Sequence, residues 1–554
     1  MLQRYAYLAY LRLQLKRYRK DARRARSLQH RTLMDKLRRH AESDFGRDHG
    51  FRNITSVAEF RRRQPIYNYD DHHPYIQRVL EGHVEALFAP GTRVLMFAMT
   101  SGTTGQPKRL PITEELFREY RVGWKIWGAG VYGDHLDLLK KQTVQLSSDW
   151  QQFSAPSGVP CGQISGLAAM SRPWITQRVF LLPKLISRIH DPAAKHYAAL
   201  RFSLACRKVG MIVTANPSTL IEFARRADRD KEMLIRDIYD GSLSCDLPSN
   251  LRRGLARRIL RRRPDRAREL DRIASQHGQL LPKLAWPELS VLAVWTGGSV
   301  NVYLVQLPAL YGQTAIRDHG LSASEGRMTI PLSDATPAGM LDFSHHYFEF
   351  IPVEEHCQAR PNVLEAHELE VGKDYYIVMT TSGGLYRYDI HDVVRCVGYE
   401  GEAPLVEFLN KGKHFSSLTG EKLSEHQAIR AVKMSFAELE MPDNEFTLAP
   451  IVDEHPRYVL LVEPAAHHGR VDELAHRVQA NLERVNEEYS EKCGSGRLLP
   501  VQVREVPSGT WSALRRQRTV DRGNFEEYKH PCLVGDTEFV SQLTSLEPCI
   551  AQSV

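Results

Sequence analysis

Apolar and polar positions along this 554-residue chain follow three successive rhythms. Through the first forty residues, Leu8, Leu11, Leu15 and Tyr18 recur at roughly helical spacing among many arginines. That spacing predicts one or two basic amphipathic helices. From 114 to 240, helical and irregular stretches alternate, broken by several prolines. A substrate pocket can lie here, although no local motif marks it. Leu251, Leu255, Ile259 and Leu260 give the basic run Arg252–Arg272 one apolar stripe, which predicts a helix with a solvated outer face. From Leu289 the rhythm changes to strands. Leu289–Gly298 reads as a buried strand ending in a turn, and Tyr347–Glu355 and Tyr375–Tyr388 are strand-rich, the latter with a Ser-Gly-Gly turn at Ser382–Gly384.

Gly401–Pro404 makes a break, and a domain boundary is expected near Leu409. Beyond it the pattern predicts a turn at Lys411–Ser417, a helix from about Ser424, strands around Thr447–Val452 and Tyr458–Val462, a charged helix over Val471–Tyr489 and a strand at Leu499–Val506. The division expected is 1–409 and 410–554, with 1–40 as a basic helical segment; the second part is an ordinary domain size.

Composition narrows the class. Apolar residues make 42% and charged residues 25% of the chain, as in ordinary globular proteins. The net charge of +8 is concentrated near the N-terminus and in Arg252–Arg272. The expected reading of both stretches is a packed helix with a solvated basic face, with no nucleic-acid partner and no stable membrane insertion; the alternative is a membrane-surface or nucleic-acid role for the N-terminal stretch and nucleic-acid binding for Arg252–Arg272. No apolar run approaches the ~20 residues of a membrane span, and the N-terminus lacks a signal-peptide pattern. Eight cysteines without a CxxC pair fit a reduced, cytoplasmic protein.

The candidate chemistry centres on Val94–Thr113. A buried-strand run, Val94 to Met99, leads into Thr100-Ser101-Gly102-Thr103-Thr104-Gly105, then Gln106-Pro107-Lys108. Glycines let the backbone approach a ligand closely, successive N–H groups make an anion-binding concavity, and the hydroxyls add donors. Lys108 adds a movable positive charge, and the combination suits a polyphosphate. It is not a Walker A loop, because Gln106 and Pro107 separate Gly105 from Lys108 and Arg109 follows. In Ser322-Ala323-Ser324-Glu325 the carboxylate can hold Mg²⁺ against phosphates, or the stretch can be a helix cap. In Tyr386–Asp392 an Asp at a strand end can accept ribose hydroxyls, while Arg387 can answer phosphate or a structural carboxylate. Near the C-terminus stands Lys529, in Phe525–Pro531. The adjacent His72 and His73 lack a third metal ligand at recognisable spacing.

The string TSGTTGQPK behind an apolar strand resembles the phosphate loop of acyl-adenylate-forming enzymes. Order and spacing of further landmarks resemble the Gretchen Hagen family of acyl acid amido synthetases over nearly the whole chain: Phe45–Phe51, Tyr69–Gly82, Trp295–Gly298, Ser322–Gly326, Tyr347–Phe350, Tyr386–Val394, Ser416–Glu425, Pro507–Trp511 and Tyr528–Pro531. The resemblance implies an α/β (α+β) fold: a large N-terminal domain with a β-barrel and α/β sheets, and a small mobile α+β lid. It implies ATP and Mg²⁺ as cofactors, a carboxylic acid and an amine or amino acid as substrates, and an acyl-AMP intermediate. Ser101, Gly102, Thr103, Thr104 and Lys108 would serve the phosphates. Ser322, Ala323, Ser324 and Glu325 would line the adenine and α-phosphate side, with Glu325 near the metal. Tyr347 would lie near the nucleotide, and Asp392 would hold the ribose. Lys529 would be the lid lysine acting on the reacting carboxylate and α-phosphate, and Lys411 would open a hinge running to Lys422.

Three positions depart from the family pattern. Leu321 stands where Tyr usually packs on adenine, His391 where Gly precedes the ribose Asp, and Lys411 where Arg is common. The alternatives to an amide-forming ligase are a thioester-forming ligase and a nucleotide-binding protein with a degraded site.

Overall fold

The computed structural model describes residues 2–99, 108–172, 177–258, 260–298, 301–356, 358, 360–411, 415–416, 418, 421, 423–452, 456–464, 469–494, 498–522 and 529–544. Its backbone groups into two units. The larger comprises 1–296, 306–390 and 394–408; the smaller comprises 297–305, 391–393 and 409–554.

The larger unit starts with two helices, Leu2–Asp21 (α1) and Ala25–Arg39 (α2), separated by a short 3-10 turn. The positions picked out by their spacing face inward: Leu8, Leu11 and Tyr18 are buried. The basic segment departs from expectation. It is two helices, Ser249–Arg258 and Pro264–His277, not one. Pro264 occupies the first turn of the second helix. Proline disfavours helical backbone in the residue before it, so Arg263 leaves the helical region and the chain bends there. Arg266 is also not solvated: it is buried and donates to Leu204 O at 2.9 Å and Ala285 O at 2.8 Å.

Three sheets carry this unit. One is parallel, in the order Gln142–Gln145, Val209–Val213, Val291–Val294, Ala315–Asp318. Its two central strands are buried at every position, as expected of a parallel sheet covered on both faces. A second sheet joins Arg109–Thr113, Val94–Met99, Pro160–Gly162 and Phe153–Ser154. The third has seven strands running from Thr329–Ile330 through Gly339–Leu341, Ala403–Lys411, Tyr388–Glu400, Asp374–Thr380 and Tyr347–Pro352 to Leu364–Glu365. Its ladder is continuous through all seven strands among the described residues.

The main core fills the space between the third sheet and residues 33–97. Phe45 shows how tightly: it is fully buried, with rings of His72 and Tyr386 lying nearly parallel to it at 5.3 and 5.2 Å. The Phe45–Phe51 landmark is therefore a packing element. The smaller unit has its own core. Strands Phe446–Val452, Pro456–Val462 and Leu499–Glu505 form a mixed sheet, covered by helices Glu425–Glu438 and Val471–Val485.

Candidate nucleotide site

Strands Val94–Met99 and Arg109–Thr113 pair antiparallel, with Met99 opposite Arg109. The two ends of the hydroxyl-rich loop are thus fixed side by side. Ser101, Gly102, Thr103 and Thr104 themselves lie outside the described residues.

Lys108, at the loop's exit, is less movable than expected. Its Nζ donates to the Tyr388 hydroxyl at 3.1 Å and sits 4.9 Å over the Tyr69 ring. Both contacts favour a charged ammonium, one through a donor bond and the other through the ring quadrupole. The Tyr69 hydroxyl accepts the Arg109 N–H at 3.2 Å, which ties that ring to the strand following the loop. Burial raises the Tyr69 pKa, so the phenol stays neutral and able to accept.

Ser322–Ala323 and Gly326–Arg327 form a two-strand hairpin, with Ala323 opposite Gly326 and Ser324-Glu325 as its two-residue turn. This is a strand turn, not a helix cap. Glu325 at the tip is buried, and its charge is felt by Tyr69. Gly326 makes the placement possible, since a Cβ there would stand 2.8 Å from His346 Nε2 and 3.0 Å from Met379 Cε. Leu321 packs against the main core, and its N–H donates to Thr329 Oγ1 at 2.8 Å. Tyr69 therefore brings Lys108 and Glu325 into one neighbourhood.

Other expected residues sit differently. Tyr347 is 1% exposed and belongs to the main core, near Phe60. Its neighbours in charge are Glu349 and Arg61, and burial pushes its phenol far up. Arg387 meets a structural carboxylate: Nε reaches Glu349 Oε2 at 2.9 Å and Nη2 reaches Oε1 at 3.0 Å, with both residues buried. It also donates to the carbonyls of Arg61 and Gln64, leaving phosphate no claim on it. Asp389 pairs with His356 at 2.6 Å.

The histidine pair is split by its helix. His72 is buried, its Nδ1 facing Asn68 O at 3.1 Å and its Nε2 accepting from Tyr386 N at 3.2 Å, whereas His73 is exposed. They share no metal.

In the smaller unit, Asp392 is buried within the strand Tyr388–Glu400. His391 before it has φ 58°, the left-handed conformation for which glycine is the usual residue. The histidine thus keeps the glycine-type backbone at that position. Lys411 ends the strand Ala403–Lys411, and Lys529 is exposed. Tyr69 and Tyr388 are the contributions that motif reading missed. Both lie inside quoted landmarks, but nothing local says that their rings meet Lys108.

Mixed sheets in a large unit, followed by a smaller sheet-and-helix unit, match a solved structure titled "GH3.15 acyl acid amido synthetase". The TM-score is 0.83 at 20% identity, over 96% of each chain. A second structure, titled "AtGH3.15 acyl acid amido synthetase in complex with 2,4-DB", gives the same TM-score over 96% of this chain and 95% of that one. The fold is that of these two GH3.15 structures. Models of the GH3 family N-terminal domain match residues 14–316, of its central domain 339–411 and of its C-terminal domain 426–538. The chain belongs to the GH3 family. Among its relatives is the indole-3-acetic acid-amido synthetase GH3.8 of Oryza sativa subsp. indica, 25% identical over 94% of this chain and 90% of that one. Another is the jasmonoyl–L-amino acid synthetase JAR4 of Nicotiana attenuata, 24% identical over 74% and 73%.

Proposed function

We propose that this chain is an ATP-dependent acyl acid amido synthetase, an AMP-forming ligase of carboxylic acids and amines, with an amino acid as the acceptor. The observation that carries the reading is Lys108 held on Tyr69 and Tyr388 beside the fixed ends of the hydroxyl-rich loop, with the buried Glu325 near enough for its charge to reach Tyr69. A lysine cation and a buried carboxylate at one loop suit a nucleoside triphosphate with its counter-ion. Mg²⁺ is commonly held by one or two carboxylates plus substrate phosphates, and Glu325 supplies one; the ion would neutralise phosphate charge there.

In this reading Ser101, Gly102, Thr103 and Thr104 cradle the phosphates, while Ser322, Ala323 and Ser324 flank the base. Tyr347 backs the nucleotide from the core, and Asp392 takes the ribose hydroxyls. A carboxylate oxygen of the acid attacks the α-phosphorus, the bond to pyrophosphate breaks, and acyl-AMP forms. The amine nitrogen then attacks the acyl carbonyl, AMP leaves, and the amine's proton passes to solvent. Lys529 on the 410–554 lid offsets the charge that builds between carboxylate and α-phosphate; such stabilisation is usually a large catalytic contribution. Lys411 opens the hinge, and 1–409 is the adenylating domain. Six free thiols among the described residues and no helix there able to cross a membrane support a cytoplasmic setting.

ATP–pyrophosphate exchange across a panel of aromatic, aliphatic and amino acids tests the first half-reaction. Amide products, sought by mass spectrometry with an amine panel and coenzyme A as the thiol control, test the second. Lys529→Ala should lower exchange by about 100-fold or more while ATP affinity stays within a few-fold. Unchanged exchange would remove Lys529 from the chemistry, and thioester formation in place of amide would replace the acceptor.

A further inference from the structure

The outward face of α1 has no role in the proposed reaction, and its chemistry is unlike that of an ordinary solvated helix. Leu8, Leu11, Leu15 and Tyr18 point to one side, and Arg4 and Arg12 clamp the helix to the larger unit by donating to Leu139 O at 2.6 Å and Gly133 O at 3.4 Å. At 100° per residue, the opposite arc carries Tyr5, Ala9, Leu13, Lys16 and Lys20, bordered by Arg12, Arg17 and Tyr10. Tyr5 is 46%, Tyr10 47% and Leu13 47% exposed. Leu136, 48% exposed, lies in the turn between the two carbonyls that Arg12 and Arg4 hold, so a further exposed leucine stands beside the points where the helix is attached.

Charge is distributed along the same face. No acidic residue precedes Asp21, while six Lys and Arg do: Arg4, Arg12, Lys16, Arg17, Arg19 and Lys20. Lys16, Arg17 and Lys20 have no acidic partner among the described residues. Glu400 is paired with Arg19 of the same helix, and Asp137, in the turn beside Leu136, with Lys141.

We propose that α1 is a peripheral docking face for an anionic phospholipid surface. Tyr5, Tyr10, Leu13 and Leu136 enter the headgroup–acyl boundary, and Lys16, Arg17 and Lys20 lie against lipid phosphates. Interfacial helices combine these two features, apolar or aromatic groups on one side and flanking cations. The exposed leucines have nothing to offer a nucleic-acid backbone, and two copies of so cationic a face repel each other. The attachment is reversible and needs no spanning segment. It is independent of the reaction proposed above.

Co-sedimentation of the full-length protein with phosphatidylcholine vesicles, with and without a third of phosphatidylglycerol, tests this at low and high salt. The expected result is binding only to the anionic vesicles, released by salt. The variant K16E/R17E/K20E should weaken it by about 100-fold or more, because each basic residue near an anionic surface adds about fivefold. Y10S/L13S should weaken it by about tenfold through lost apolar burial. Unchanged thermal midpoints and nucleotide binding would show that both variants are folded. Equal binding to neutral and anionic vesicles, indifference to either variant, or no vesicle binding at all would overturn the proposal. So would capture of RNA in place of vesicles, or light scattering showing that a second copy covers the face.

Discussion

His40 and His72 are held neutral by their surroundings, and that makes acid a destabilising agent for this fold. Each is buried, and each accepts a backbone N–H on a ring nitrogen, from Ala89 at 3.0 Å and from Tyr386 at 3.2 Å. A protonated ring would present a donor to those donors. Burial holds both pKa values down to about 4, with His346 also about 4 and His319 about 3. The unfolded chain protonates the same rings near pH 6.5. Between roughly pH 6.5 and 4 the unfolded state therefore binds more protons, and stability falls as pH falls. Asp318 opposes this, since burial pushes its carboxyl up to about 6. His345, raised by Asp342 despite burial, acts above pH 6.5 instead, where its contribution is lost as pH rises. Four groups outweigh one. The thermal midpoint should drop steadily on acidification below about pH 6.5, and His72→Gln should flatten the slope by about one proton. A midpoint that is flat from neutrality to pH 5 would contradict the argument.

At the scale of elements, local signals succeed where the cause is local. Ser424 begins the helix Glu425–Glu438 with a reciprocal cap: Gln427 N donates to Ser424 Oγ at 3.2 Å, and Ser424 N donates to Gln427 Oε1 at 3.1 Å. The string Ser-Glu-His-Gln carries that information itself, and the helix start was legible near Ser424. Ser424→Ala should cost the smaller unit about 1 kcal/mol in urea unfolding, with Ser424→Asn nearly neutral. A silent alanine variant would mean that tertiary contacts alone set this helix end. The same logic made Val94–Met99 and the two N-terminal helices readable. It failed at Arg252–Arg272, where an apolar stripe suggested continuity and Pro264 imposed a break. It failed more fully for pairings with no local trace. Gly339–Leu341 pairs with Ala403–Lys411, and Lys108 is held by a tyrosine 280 residues away. The motif strings located the neighbourhood of the site, but they left Arg387 open between phosphate and a structural carboxylate, which proved to be Glu349, and they did not predict how deeply Tyr347 is buried in the core.

At the scale of the molecule, the chain contributes to the smaller unit three times, and the two short contributions begin inside motif strings: Gly297–Val305 in Trp295–Gly298 and His391–Val393 in Tyr386–Val394, the third being everything from Leu409. The first matters energetically. The Tyr303 hydroxyl donates to the Glu445 carboxylate, which also receives Arg515 at 2.7 Å, so a residue from 297–305 completes a charge cluster of the 409–554 segment. That segment nevertheless has a sheet, two covering helices and a buried core of its own. A fragment spanning 409–554 should therefore fold cooperatively but melt below the corresponding transition of the whole chain. Hydrogen bonds to a charged group contribute about 1.5–3 kcal/mol; partial exposure of Glu445 and Arg515 brings the expected loss to about 1–2 kcal/mol. Tyr303→Phe in the full-length protein removes only the hydroxyl, and it should reproduce most of the fragment's deficit in circular-dichroism melts. A fragment with helical signal but no cooperative transition would show that the core needs more than that one bond from the rest of its unit. A full-strength fragment together with a silent Tyr303→Phe would show that Arg515 alone satisfies Glu445.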